Sequence, residues 1–205
     1  MISLQAKEVG KWFGKRQVFD RISFSLEERG SLVVTGKNGS GKTTLLKILS
    51  GLIRPTKGQI LINSGQKNLT PEESKNLLWL VMPDLELYGE LTSMENLLFL
   101  SRLRGLSLTR DELKEKIGQV GLAKRENDLV FSFSSGMKQR LKYALALLFE
   151  PRILLLDEPT ANLDEEGISL VDRTVSRQRE RGILILATNE KADTKYGDQV
   201  IRLGG

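Results

Sequence analysis

The chain is expected to be α/β: a mostly parallel central sheet, an antiparallel β region at the N-terminus and an inserted α-helical lobe. Three observations carry this. The short apolar runs Ser31–Thr35, Leu77–Met82, Arg152–Asp157 and Ile183–Thr188 read as strands buried on both faces. Helical segments lie between them, and strands alternating with helices argue for parallel pairing. A glycine-rich turn joins the first of these strands directly to a helix. In chain order, Ser3–Val9 and Val18–Leu26 alternate as half-buried strands do, with Phe19, Ile22, Phe24 and Leu26 as the apolar positions. Thr44–Leu49 leads out of the glycine-rich turn as a helix, closed by Gly51 as the residue just past its end. Gln59–Asn63 is a further strand. Thr70-Pro71-Glu72-Glu73 combines a capping box with a first-turn proline and opens a short helix. Thr92-x-x-Glu95 and Thr109-x-x-Glu112 are two more capping boxes, each opening a helix of about a dozen residues. From Arg152 the alternation returns, with Glu165–Arg181 as a helix and Gln199–Leu203 as the last strand.

The glycine-rich turn carries chemistry. Gly36-Lys37-Asn38-Gly39-Ser40-Gly41-Lys42-Thr43-Thr44 fits the phosphate-binding loop pattern, with Gly36, Gly41, Lys42 and Thr43 at the fixed places and a strand and a helix on either side. Glycines allow the tight fold in which consecutive N–H groups converge on phosphate oxygens at the positive end of a helix. Lys42 adds a full charge for the outer phosphates, and the Thr43 hydroxyl can ligate Mg²⁺. These residues are read as a nucleoside-triphosphate site in the core of a P-loop NTPase. A second element supports it: the apolar strand Ile153–Leu156 ends in Asp157-Glu158. An Asp at the carboxyl end of a strand beside a phosphate loop can hold Mg²⁺ through water. The Glu after it can orient and deprotonate the water that attacks the γ-phosphate.

Three further segments resemble one family. Phe133-Ser134-Ser135-Gly136-Met137-Lys138-Gln139-Arg140 looks like the LSGGQ signature of ATP-binding-cassette (ABC) ATPases. Asp157-Glu158-Pro159-Thr160-Ala161-Asn162-Leu163-Asp164 resembles that family's Walker B segment and D-loop, and Gly10–Gly14 its adenine-stacking loop, with Phe13 as the stacking ring. The motifs run in the family's order over nearly the whole chain. The resemblance implies one nucleotide-binding domain over 1–205, with residues 1–82 and 134–205 forming the ATPase lobe and 83–133 the helical lobe. It also implies a head-to-tail, two-fold symmetric homodimer formed on ATP. Ser134, Ser135, Gly136 and Met137 would face the nucleotide of the other subunit, and Asp164 would communicate between the sites.

The chain departs from the family's pattern in three places. Ser135 and Met137 replace a Gly and a Gln of the signature. The loop after Leu77–Met82 usually carries a Gln that senses Mg²⁺; here it reads Met82-Pro83-Asp84, so the equivalent is Pro83 or Asp84. Asp84 could reach the metal and Pro83 could not. The chain has no His, and Asn189 stands where the family has its switch His. Asn can donate a neutral hydrogen bond to the γ-phosphate but cannot shuttle a proton. The replaced His leaves an inactive ATPase as the alternative, but with Lys42, Asp157 and Glu158 all present hydrolysis is expected, with Glu158, Asn189 and Lys42 as the catalytic set.

Composition bounds the partners. The chain has 205 residues, 40% of them hydrophobic and 28% charged, with no Cys, so no disulfide framework is possible. No run has the length of a membrane span, and MISLQAKEVG lacks the basic start and apolar core of a secretory signal. The net charge of +5 is dispersed, its densest run Arg173–Arg181 reading as a solvated helix face, so no nucleic-acid partner is expected. The resemblance implies a cytoplasmic protein held at the membrane face by separate integral membrane subunits, which Leu85, Leu87, Tyr88, Leu91, Met94 and Phe99 of the helical lobe would contact. Leu97, Leu98 and Leu100 are read as core. Asn76–Trp79 and Glu90–Leu97 resemble the small ATPase of cytochrome c maturation, of the haem-exporter type. ATPases of drug, lipid or polysaccharide exporters, and soluble cassette ATPases serving DNA repair, translation or iron–sulfur assembly, remain as alternatives.

Overall fold

The computed structural model describes residues 1–204. Close contacts divide them into two compact units. The first comprises Met1–Leu80, Pro151–Pro159 and the chain from Val175 onward. It contains a four-stranded antiparallel sheet in the order β2-β1-β4-β5, from β1 (Ile2–Phe13), β2 (Arg16–Glu27), β4 (Lys57–Ser64) and β5 (Lys67–Asn68). A five-stranded sheet follows the order β6-β7-β8-β3-β9, from β3 (Ser31–Thr35), β6 (Leu78–Val81), β7 (Ile153–Asp157), β8 (Ile183–Thr188) and β9 (Gln199–Arg202). The β7/β8, β8/β3 and β3/β9 pairs are parallel. Every residue of β7 and β8 is buried, which is why these strands are apolar up to Asp157 and Thr188 at their carboxyl ends.

Register places the chemistry. Asp157 lies opposite Ala187, and Thr35 opposite Thr188, so the carboxyl ends of β3, β7 and β8 finish level. Loops leaving those ends emerge along one edge of the sheet, where open α/β sheets bind ligands. Helix α1 (Lys42–Leu49) starts there and ends before Gly51, whose φ of 75° is the left-handed conformation expected of a helix-terminating glycine.

The second unit comprises Val81–Glu150 and Thr160–Thr174. It holds helices α3 (Ser93–Leu103), α4 (Arg110–Gln119) and α5 (Ser135–Phe149) and the first part of α6 (Glu165–Arg181), whereas the short α2 (Pro71–Lys75) belongs to the first unit. Relative to the expected 83–133 segment, this helical unit also takes in α5 and residues 160–174. All three capping boxes form: Thr70, Thr92 and Thr109 each accept the third residue's N–H while that residue's Glu accepts theirs. Those pairings hold the Glu73, Glu95 and Glu112 carboxyls below the ordinary carboxylate range; a Lys67 hydrogen bond leads for Glu73, the Thr N–H for the others. Leu97, Leu113, Ile117, Leu141, Tyr143 and Leu145 are fully buried and form the unit's core. Met94 joins them at 3% exposure, so it is core rather than groove: its N–H donates to Glu126 O at 3.0 Å, which turns that end of α3 inward.

Candidate nucleotide site

Gly36 and Gly41 are imposed by geometry. Gly41 has φ of 100°, and a Cβ there would come within 2.4 Å of Val18 Cγ1. A Cβ on Gly36 would come within 2.7 Å of the Leu203 carbonyl. The loop turns back through Ser40 N–H to Lys37 O at 3.1 Å, and Leu45 N–H to Gly41 O at 2.8 Å begins α1. Ser40 Oγ is buried with no hydrogen-bond partner. A buried hydroxyl without a partner costs about 1–3 kcal/mol, and a phosphate oxygen in the loop would satisfy it.

The sheet edge brings the sequence-selected residues together. Thr43 Oγ1 donates to Asp157 Oδ2 at 2.6 Å. Lys42, only 6% exposed, donates to Gly36 O at 2.8 Å and lies 3.2 Å from Glu158 Oε1. Glu158 Oε2 accepts the Asn189 N–H at 3.1 Å, and Asn189 Nδ2 donates to Asn38 Oδ1 at 3.2 Å. Glu158 has φ of 45°, an uncommon conformation for a side chain of its size, with its N–H held by Ala187 O at 2.8 Å. Such backbone costs about 1–3 kcal/mol and clusters at functional sites. Phe13, 55% exposed, lines the same cleft of about 450 Å³ as Lys42, Thr43, Thr44 and Glu158. Lys11 Nζ sits 4.9 Å from the Phe13 ring centroid.

The donor set fits a hard divalent cation. Thr43 and Asp157 offer a hydroxyl and a carboxylate, oxygen ligands of the kind Mg²⁺ takes alongside substrate phosphates.

Residues 19–161 match the model of the ABC transporter family. The chain belongs to that family. It is an ATP-binding cassette with the family's ATPase domain. It is 33% identical over 190 residues to the linearmycin resistance ATP-binding protein LnrL of Bacillus subtilis, covering 91% of this chain and 60% of that protein. It is 34% identical over 187 residues to the bacitracin transport ATP-binding protein BcrA of Bacillus licheniformis, covering 91% and 61%. The chain thus spans about three fifths of the length of these two relatives. Its fold is similar, at a TM-score of 0.82 and 22% identity over 98% of this chain and 94% of the other, to a dimeric ATP-binding cassette in a post-hydrolysis state with ADP and Pi.

In the cassette's helical unit, Ser134 caps α5 by accepting the Met137 N–H at 3.2 Å. Ser134 and Ser135 are exposed, and Gly136 and Met137 half-buried. A Cβ on Gly136 would come within 3.3 Å of Asn162 O, so glycine lets the segment after β7 pass close to the helix start. Asp164 Oδ1 accepts the Gly167 N–H at 2.9 Å and pairs with Arg140 Nη2 at 2.6 Å. The Gly167 N–H first, then the guanidinium, hold the Asp164 carboxyl below the usual range. Arg140 also pairs with Glu166 at 2.8 Å. Pro83 and Asp84 are exposed. Sequence reasoning missed Arg140 and Asn96; the Asn96 amide accepts from Tyr88 N–H and donates to the carbonyls of Tyr88, Leu91 and Thr92.

Proposed function

We propose that this cassette is the ATP-hydrolysing subunit of an exporter, closing as a homodimer on ATP and driving separate membrane subunits. The observation that carries the hydrolytic part is the Lys42–Glu158 and Thr43–Asp157 pairing beside the buried Ser40 hydroxyl. Converging N–H groups of the phosphate loop and the Lys42 ammonium would hold the triphosphate, with Phe13 under the adenine. Mg²⁺, held by Thr43 and Asp157, would neutralise charge on the phosphate oxygens. Glu158 would take a proton from water as the water oxygen bonds to the γ-phosphorus and the bond to the bridging oxygen breaks, leaving ADP and phosphate. Ser134, Ser135, Gly136 and Met137 would face the γ-phosphate bound to the partner copy, the start of α5 presenting its positive end. Asp164 would relay between the two sites. Dimerisation draws support from the dimeric structural relative.

Among the described residues no helix is long and apolar enough to cross a membrane. We place the cassette peripherally at the cytoplasmic membrane face and take the helical unit as its docking lobe. Leu85 and Leu87, both half-buried, line a cleft of about 260 Å³ there with Pro83, Gly89 and Val130. Exposed Tyr88 and Phe99 pack edge to face beside it, ring centroids 5.1 Å apart. The names of the two bacterial relatives, one of linearmycin resistance and one of bacitracin transport, favour a cargo of that kind over the haem reading, which rests on sequence resemblance at Asn76–Trp79 and Glu90–Leu97 alone.

Leu87→Asp is expected to abolish co-sedimentation with membranes, because burying an unpaired carboxylate costs several kcal/mol. ATP binding should survive. Equal membrane association for variant and parent would exclude this cleft, and a parent that never sediments would favour a soluble cassette ATPase.

Asn189 predicts slow hydrolysis. Asn189→His should raise the single-turnover rate by up to about a hundredfold, because an imidazolium donates to developing charge as a cation where the Asn amide donates only as a neutral group. A rate that is unchanged or lower would show that the Asn38–Asn189 pairing already meets the site's needs.

A further inference from the structure

Helix α5 is apolar around its middle, where Leu141, Tyr143, Ala144 and Leu145 are fully buried, yet position 142 is a lysine only 6% exposed. A buried ammonium is unfavourable unless its protons are bonded. Lys142 Nζ donates to two consecutive carbonyls, Met82 O at 3.1 Å and Pro83 O at 2.6 Å. Burial first, and Lys138 with it, holds the ammonium below the ordinary lysine range, while Asp84 works the other way. An alanine or leucine at 142 would suit the helix at less expense. What the lysine adds is the hold on those two carbonyls.

The segment it holds has few other anchors. Leu85 N–H donates to Met82 O at 3.1 Å, and Pro83 has no N–H to give. The same segment forms one side of the cleft lined by Leu85 and Leu87, while Lys138 and Lys142 of α5 form another. Helix α5 begins at the Ser134 cap.

From the two Lys142 hydrogen bonds we infer that Lys142 is a positioning residue that clamps the Met82–Leu85 loop to α5, so that loop and helix respond as one body. This rests on the reading of the α5 start as the nucleotide-facing segment and of the cleft as the docking site. A change at either is then passed to the other through one side chain, in the loop where the family's sensing Gln is absent.

Hydrogen exchange on the full chain tests it. Without nucleotide, Lys142→Met should speed exchange at Leu85 by about tenfold or more, while α5 stays protected and ATP affinity stays within about twofold. With Mg²⁺ and a non-hydrolysable ATP analogue, the parent should change protection in residues 84–88 and 134–141 together, with one midpoint. The Met variant should change it only in 134–141. Lys142→Arg keeps a cation with several donors and should preserve both the loop protection and the joint response. Parental exchange at Leu85 in the Met variant, loss of joint response in the Arg variant, or separate midpoints in the parent would each overturn the clamp. The measurement without nucleotide stands apart from the functional reading, whose own failure would appear as no nucleotide response at residues 134–141 of the parent.

Discussion

Glu158→Gln is expected to bind Mg-ATP, to lose hydrolysis by about 10²–10⁴-fold and to accumulate as a closed dimer. The magnitude is that of removing a positioned general base. The structure makes the substitution a clean one. Gln has the size of Glu, can still accept the Asn189 N–H that Glu158 Oε2 accepts at 3.1 Å, and sits on the same left-handed backbone, φ 45°. The charge and the basicity go, and with them the ion pair to Lys42, 3.2 Å from Oε1. Without them the water keeps its proton and the γ-phosphate stays in place, so the ligand that favours the closed state is never consumed. Size-exclusion chromatography with Mg-ATP reads the outcome. A variant that stays monomeric at high concentration while binding ATP would show that the homodimer does not form from this chain alone. A variant that still hydrolyses ATP would remove Glu158 as the base.

What could be read from the sequence divides along a physical line. Capping boxes, the phosphate loop and the glycine after α1 are fixed by backbone conformation over a few residues, so their residue types announce them. The wholly buried strands were legible because burial on both faces leaves an unbroken apolar run. Arg140 and Lys142 gave no such signal, because their partners lie 24 and 59 residues away and only the fold brings them near. Arg140 is the last residue of the signature segment and Lys142 lies two residues past it, yet neither pairing is visible in that segment. Met94 reads from the sequence as a groove residue because an apolar residue near a helix start marks burial but not the direction it faces. The register that levels Asp157 and Thr188 against their neighbours is likewise a property of paired strands that no single strand carries.

Lys42→Ala should weaken Mg-ATP binding by about ten- to a hundredfold, from loss of charge-assisted contacts of about 1.5–3 kcal/mol. Two effects act in the same direction. Lys42 no longer reaches the outer phosphates, and Glu158 loses the ammonium that lies 3.2 Å from its Oε1. An uncompensated carboxylate then faces the incoming γ-phosphate, and like charges at short range in a partly buried cleft repel. Calorimetry with a non-hydrolysable analogue separates the two effects. Neutralising the acid in Lys42→Ala/Glu158→Gln should recover part of the lost affinity, because only the repulsive part is removed. The single Glu158→Gln change leaves Lys42 free for phosphate, its hold on Gly36 O intact, so it should bind at least as well as the parent. The four proteins close a double-mutant cycle whose interaction term, expected within about 0.5–3 kcal/mol, measures the pair itself. Equal affinity of Lys42→Ala and parent would defeat the phosphate-binding role of Lys42. A cycle that closes to zero would show that Glu158 does not feel Lys42 when nucleotide binds, any recovery in the double variant then equalling the gain from Glu158→Gln alone.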